Sequence, residues 1–157
     1  MEIKHAIEIA MKAEELGAKF YGNLAKKFSD KPDLKETLEQ LAKDEVDHRK
    51  QFGDLLNIEP GRKVTVPEEH YDFLKQIDIS KYFDNMKDVE DVDEKEILTQ
   101  AYEFEKETVL FYHGIKDVVG DSKELDEIIK MEKTHMNKLL KYIVTDAEFR
   151  GLSDKWE

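Results

Sequence analysis

The sequence predicts an all-α protein, a four-helix bundle made of two helix hairpins joined by a long crossover. Three observations predict it. Apolar residues recur at alternating three- and four-residue intervals along four long segments. Only three Pro occur in 157 residues, none of them past the first turn of any of these segments. The first pair of segments also repeats in the second: Ala10-x3-Glu14-x5-Phe20-Tyr21 leading to Glu45-x2-His48 matches Ala101-x3-Glu105-x5-Phe111-Tyr112 leading to Glu132-x2-His135.

The first helix is expected over residues 3–28. Ile3, Ile7, Ala10, Glu14, Gly17, Tyr21, Leu24 and Phe28 share one face, and Lys26 and Lys27 fall where the helix dipole favours cations. Ser29-Asp30-Lys31-Pro32-Asp33 supplies a cap and a first-turn proline, so a second helix over 31–57 returns antiparallel. Its stripe is Leu34, Leu38, Leu41, Glu45, His48, Phe52 and Leu55.

From 58 to 93 the periodicity degrades. Glu59-Pro60-Gly61 reads as a turn, Val64-Thr65-Val66-Pro67 as extended chain, and 68–87 as one or two short helices. A connector of about 35 residues exceeds what a hairpin needs and can travel the length of the bundle, which would make the second and third helices parallel. The acidic run at 88–94 lacks the alternating acids, central Gly and terminal Glu of a calcium loop. It reads instead as a helix start, with Asp93 as cap and Glu96 three residues on.

The third helix is expected over 94–119, with Leu98, Ala101, Glu105, Thr108, Tyr112, Ile115 and Val119 inward. Gly120-Asp121-Ser122 breaks and recaps the chain, and a fourth helix over 123–147 turns Leu125, Ile128, Glu132, His135, Leu139 and Tyr142 inward. One bundle domain thus spans 1–150, and 151–157 form a tail carrying Trp156.

Glu14, Glu45, His48, Glu105, Glu132 and His135 interrupt these apolar stripes near mid-helix, so all six converge on the middle of the bundle. Glu45 and His48, like Glu132 and His135, are three residues apart and project together. Four carboxylates in an apolar core must take up protons or meet a counter-charge. Two divalent cations supply +4, and two neutral imidazoles complete the shells. One Glu-x-x-His alone is a weak signal, because such pairs commonly sit on a solvated face; six inward ligands in register are specific.

Composition excludes other classes. A net charge of −12, with no Lys/Arg cluster free of flanking acids, speaks against nucleic acid and anionic membranes. No apolar run has transmembrane length and the amino terminus has no signal-peptide pattern, so the expected location is cytoplasmic. The absence of Cys removes disulfides, thiolate nucleophiles and iron–sulfur or rubredoxin-type sites, leaving oxygen and nitrogen ligands. Lys outnumbers Arg 22 to 3, a bias reported for heat-adapted proteins.

With these residues in place, the chain resembles the rubrerythrin branch of the ferritin-like superfamily over roughly residues 3 to 147. The resemblance implies two iron ions, with Glu14 and Glu105 as single-helix ligands, one of them bridging, and both Glu-x-x-His pairs as ligands. Manganese and zinc suit the same donors. Tyr21 and Tyr112 match family tyrosines seven residues after each ligand, and read as core filler with bonded hydroxyls rather than as radical sites. Asp44 is placed either to hold a ligand His or to face solvent; its counterpart in the fourth helix is Met131.

Two departures stand out. Rubrerythrins carry a further carboxylate three residues after the third-helix Glu, used in a redox-linked ligand shift, where this chain has Thr108. They also carry a rubredoxin-like domain with four cysteines, so a chain without cysteine implies a separate electron-donor protein.

The resemblance implies an oxidoreductase of oxidative-stress defence, reducing peroxide or dioxygen with Glu14, Glu45, Glu105 and Glu132 shifting to absorb charge. The alternatives are iron oxidation and storage, a non-catalytic metal-stabilised bundle, and a hydroxylase. A homodimer is expected, because nothing after the fourth helix offers the extra helix that lines a storage shell.

Overall fold

Buried positions follow the 3-4 stripes of the sequence in every helix of the computed structural model, which describes residues 3–58, 69, 72 and 93–144. Helix α1 spans Ile3–Lys27, α2 Pro32–Ile58, α3 Glu94–Val119 and α4 Lys123–Ile143. Three expected boundaries agree to within a residue. The fourth helix ends sooner than 147: Val144 leaves it in extended geometry (φ −101°, ψ 142°), as suits a β-branched residue following a Leu- and Lys-rich run. The expected turn, extended run, short helices and acidic run of the crossover lie outside the described residues, except Glu69 and Asp72, which are exposed. The end of the domain at 150 and the tail also lie outside them.

Local chemistry sets the helix ends. Pro32 opens α2, where its missing N–H costs nothing. Ser122 caps α4, its side chain accepting from Leu125 N at 3.2 Å. Gly120 closes α3 with φ 87°, a conformation that favours glycine, and donates its N–H to Lys116 O at 2.8 Å. Asp93 occupies the N-cap position of α3, but its side chain makes no capping bond, which corrects the expected capping box. The neighbouring Glu94 carboxylate instead pairs with Lys31 at the start of α2.

Side-chain meetings give the helix directions. Gly17 lies against Glu45 and Gly53 against Met11, so α1 and α2 are antiparallel. Tyr21 meets Glu105 while Tyr112 meets Glu14, so α1 and α3 are antiparallel. His48 meets Glu132 and Asp44 meets His135, so α2 and α4 are antiparallel. Helices α2 and α3 are therefore parallel, which puts the end of one and the start of the other at opposite ends of the bundle.

The core fills the space on both sides of the mid-plane. Leu34, Leu38, Leu98, Phe104, Leu125 and Leu139 are fully or almost fully buried, and Phe52 packs on Tyr112 with ring centroids 4.9 Å apart. Among the described residues no helix is long and apolar enough to cross a membrane.

Candidate metal centre

Glu14, Glu45, His48, Glu105, Glu132 and His135 are the charged or titratable side chains in the buried polar set, each at most 4% exposed. Each helix delivers them at mid-length because the apolar stripe continues on either side. Their ligand atoms form two groups, Glu14–Glu45–His48–Glu132 and Glu45–Glu105–Glu132–His135, each with all its atoms within 4.8 Å of one another. Glu45 and Glu132 belong to both groups, whereas Glu14 and Glu105 belong to one each. This differs from the expectation that Glu14 or Glu105 is the bridge. The antiparallel pairing of α2 with α4 places the Glu of each Glu-x-x-His between the two imidazoles, so those carboxylates span the centre.

The imidazoles turn Nδ1 inward. His48 Nδ1 lies 2.8 Å from Glu132 Oε1 and 3.6 Å from Glu14 Oε1. His135 Nδ1 lies 3.4 Å from Glu45 Oε1 and Glu132 Oε2 and 3.7 Å from Glu105 Oε1. The two rings stack 5.7 Å apart, 23° from parallel. Asp44, one of whose two readings was solvent-facing, takes the other: its Oδ2 is 3.0 Å from His135 Nε2, and its Oδ1 accepts from Gln40 Nε2 at 2.9 Å. That contact makes Nε2 the protonated nitrogen and leaves Nδ1 as the ligand atom.

Tyr21 and Tyr112 cross the bundle. The Tyr21 hydroxyl donates to Glu105 Oε1 at 2.6 Å, and the Tyr112 hydroxyl to Glu14 Oε1 at 2.5 Å. They are core residues with bonded hydroxyls, as expected, and their partners are the two single-helix carboxylates. Burial, then the nearby carboxylates, push both phenols well above their ordinary value, so each keeps its proton.

The same carboxylates shift the other groups. Burial disfavours the charged imidazoles, but the facing carboxylates, Glu132 and Glu14 for His48 and Asp44, Glu105 and Glu132 for His135, raise the two to about 10 and about 12. Burial and the Glu132 charge push Glu105 up to about 8. Burial opposes ionisation of Asp44 too, but its bonds to His135 and Gln40 prevail and lower it. Without metal the centre thus balances its charge with protons, on the imidazoles as well as on a carboxylate.

The donors fit a pair of divalent cations. Glu14 Oε2, Glu45 Oε1, Glu105 Oε2, Glu132 Oε2 and His135 Nδ1 are all buried with no hydrogen-bond partner, an arrangement costly unless a cation uses those lone pairs. Thr108 is also buried and its Oγ1 lacks a partner. Sequence reasoning missed the role of Gly17. A Cβ there would sit 3.4 Å from the Glu45 carboxyl carbon and Oε2, an ordinary contact, so the position has space beside that shared carboxylate for a methyl but for little more. Its signal was a glycine three residues after Glu14, on the stripe where a large apolar residue would pack.

A family model described as Rubrerythrin matches residues 5–143. A crystal structure from Thermotoga maritima, described as that of a candidate ferritin-like diiron-carboxylate protein, is similar at 25% identity with a TM-score of 0.66, over 91% of this chain and 95% of that one. No curated protein matches the sequence.

Proposed function

The chain belongs to the rubrerythrin family, and from that premise we propose that it is a di-iron carboxylate oxidoreductase that reduces peroxide or dioxygen, with electrons from a separate donor protein. The observation that carries this reading is the pair of four-ligand groups sharing Glu45 and Glu132, lined by orphaned carboxylate oxygens. Glu14 and His48 would hold one ion and Glu105 and His135 the other, with Glu45 and Glu132 spanning both. Two redox-active ions held by these residues would supply paired Lewis acidity and two electrons to a small oxidant.

The chain's own residues prepare that chemistry. Tyr112 and Tyr21 each tie down one oxygen of Glu14 and Glu105, leaving the second oxygen directed by a fixed carboxylate. Asp44 fixes the tautomer and ring plane of His135. The Tyr21 and Tyr112 hydroxyls keep their protons and donate them in hydrogen bonds, so they hold Glu105 and Glu14 in place. The apolar core packs on both sides of the ligands and surrounds them with low-dielectric material. Thr108 offers no carboxylate for the ligand exchange of rubrerythrins proper, so the reading gives this site a fixed ligand set. A homodimer in the cytoplasm completes the proposal.

Anaerobic reconstitution with Fe(II), followed by peroxide addition in the presence of a reductant, tests it. Two irons per chain and peroxide-dependent turnover are expected. Two irons without turnover under any reductant would refute the enzyme reading. A particle of about two dozen subunits by light scattering would favour storage.

A further inference from the structure

The repeat makes the ligands symmetric, but not what stands behind them. His135 is braced from outside, its Nε2 bonded to Asp44, which Gln40 holds in turn. The corresponding position behind His48 is Met131, 38% exposed, which offers no charge-assisted bond. His48 and Met131 instead line a cavity of ≈ 370 Å³ on the α2–α4 face, together with Gln51, Glu127, Lys130 and Thr134. At about 30 Å³ per water this space takes about a dozen, enough for a divalent cation with its first hydration shell. Its walls carry a carboxylate, an amide and a hydroxyl that can exchange bonds with that shell. His48, 4% exposed with Nδ1 toward Glu14 and Glu132, separates this cavity from the ligand cluster.

We infer that the two metal positions differ in lability: the Glu14–His48 position exchanges divalent cations through the α2–α4 cavity, and the Glu105–His135 position, braced by Asp44, retains its ion. This rests on the six-ligand reading above. An imidazole held by an outer carboxylate loses less orientational freedom on binding and is the more basic ligand, and removing such a partner typically costs about 10- to 100-fold in metal affinity. On its outer side the His48 ring has no bond comparable to the Asp44 contact to restrain a swing toward the cavity; only its inward contacts to Glu132 and Glu14 hold it. Asp44 acts here as a positioning residue, and Met131 marks the place where its counterpart is missing.

The test follows the release of Co(II) from the loaded full-length chain into excess chelator. Wild type should release its two ions in two phases of equal amplitude with rates about 10-fold or more apart. Lys130→Trp and Thr134→Trp, both at the cavity wall, should slow only the fast phase. Met131→Asp should slow it too by bracing His48, and Asp44→Ala should accelerate only the slow phase. Melting curves of each variant establish that it is folded. Fewer than two Co(II) bound per wild-type chain would sink the six-ligand reading itself. Two Co(II) leaving in a single phase, or a fast phase untouched by both Trp variants, would overturn the asymmetry.

Discussion

Replacing Glu105 by Leu in chelated protein isolates the strain of the unmetallated centre. Burial and the Glu132 carboxylate raise Glu105 from 4.5 to about 8, against the opposing pull of His135. A raised folded value means the group's contribution to stability is fully present below about pH 4.5 and lost as pH rises through about 8. One proton is worth about 1.4 kcal/mol per pH unit, so between about pH 5 and 6.5 the wild type should lose about 2 kcal/mol from this group.

The other resolved groups are flat in that window. The raised imidazoles keep their full contribution below their ordinary value of 6.5, and Asp44, whose folded value is lowered, loses its contribution only as pH falls below 3.8. Glu105→Leu should therefore gain about 2 kcal/mol on the wild type between about pH 5 and 6.5, as a difference between urea midpoints at the two pH values. The absolute offset also contains the Tyr21 hydroxyl left without a partner, worth about 1 to 3 kcal/mol, which Glu105→Leu/Tyr21→Phe removes. Parallel pH profiles for wild type and variant would refute the assignment of a strained, buried Glu105.

Loading two divalent ions at about pH 7 should expel about three protons per chain, those of His48, His135 and Glu105, because ligand atoms must be deprotonated. Calorimetry in buffers of different ionisation enthalpy reads that number, and release near zero would contradict the charged imidazoles. Glu45→Ala/Glu132→Ala should abolish binding of both metals by elemental analysis, since each removed carboxylate belongs to both groups; a variant that kept two metals would sink the shared-ligand geometry. Gly17→Ala should be tolerated, with a helix-propensity gain of about 0.5 to 1 kcal/mol. Gly17→Val, which adds methyls beyond a Cβ already 3.4 Å from Glu45, should lower the affinity of both ions, and normal two-metal titration of this variant would remove Gly17 from the site.

The helices were legible because the 3-4 stripe is a one-dimensional signal, strong enough to locate Glu14, Glu45, Glu105 and Glu132 as intrusions in it. Even the parallel course of α2 and α3 followed from the length of the connector. What escaped were properties of facing pairs. Which carboxylates are shared depends on how α2 and α4 face each other, which spacing along either helix does not contain. The choice for Asp44 turned on whether its rotamer meets His135 or solvent, and Asp93 takes the N-cap position of α3 without a side-chain bond while its neighbour Glu94 pairs with Lys31. The partners of Tyr21 and Tyr112 likewise lie 84 and 98 residues away in sequence.

Charge balance explains why the two halves agree where they agree. Four inward carboxylates are the charge that two divalent ions neutralise, so loss of any one of them leaves buried cationic charge unpaired at a cost of several kcal/mol. No such penalty protects the flanking positions, and there the halves diverge: Gly17 in α1 has the register of Thr108 in α3, and Asp44 in α2 that of Met131 in α4. Gly17 lies against a shared carboxylate, whereas Thr108 puts a buried, unpartnered hydroxyl on the other half. Asp44 braces one imidazole, whereas Met131 leaves the other beside a cavity. On the proposed reading the six ligands set the count of ions, and Asp44 and Met131 set how differently the two positions release them. Exchanging flanks between halves, with Met131→Asp on one side and Asp44→Met on the other, should therefore narrow the gap between the two release rates while the count of two stays unchanged.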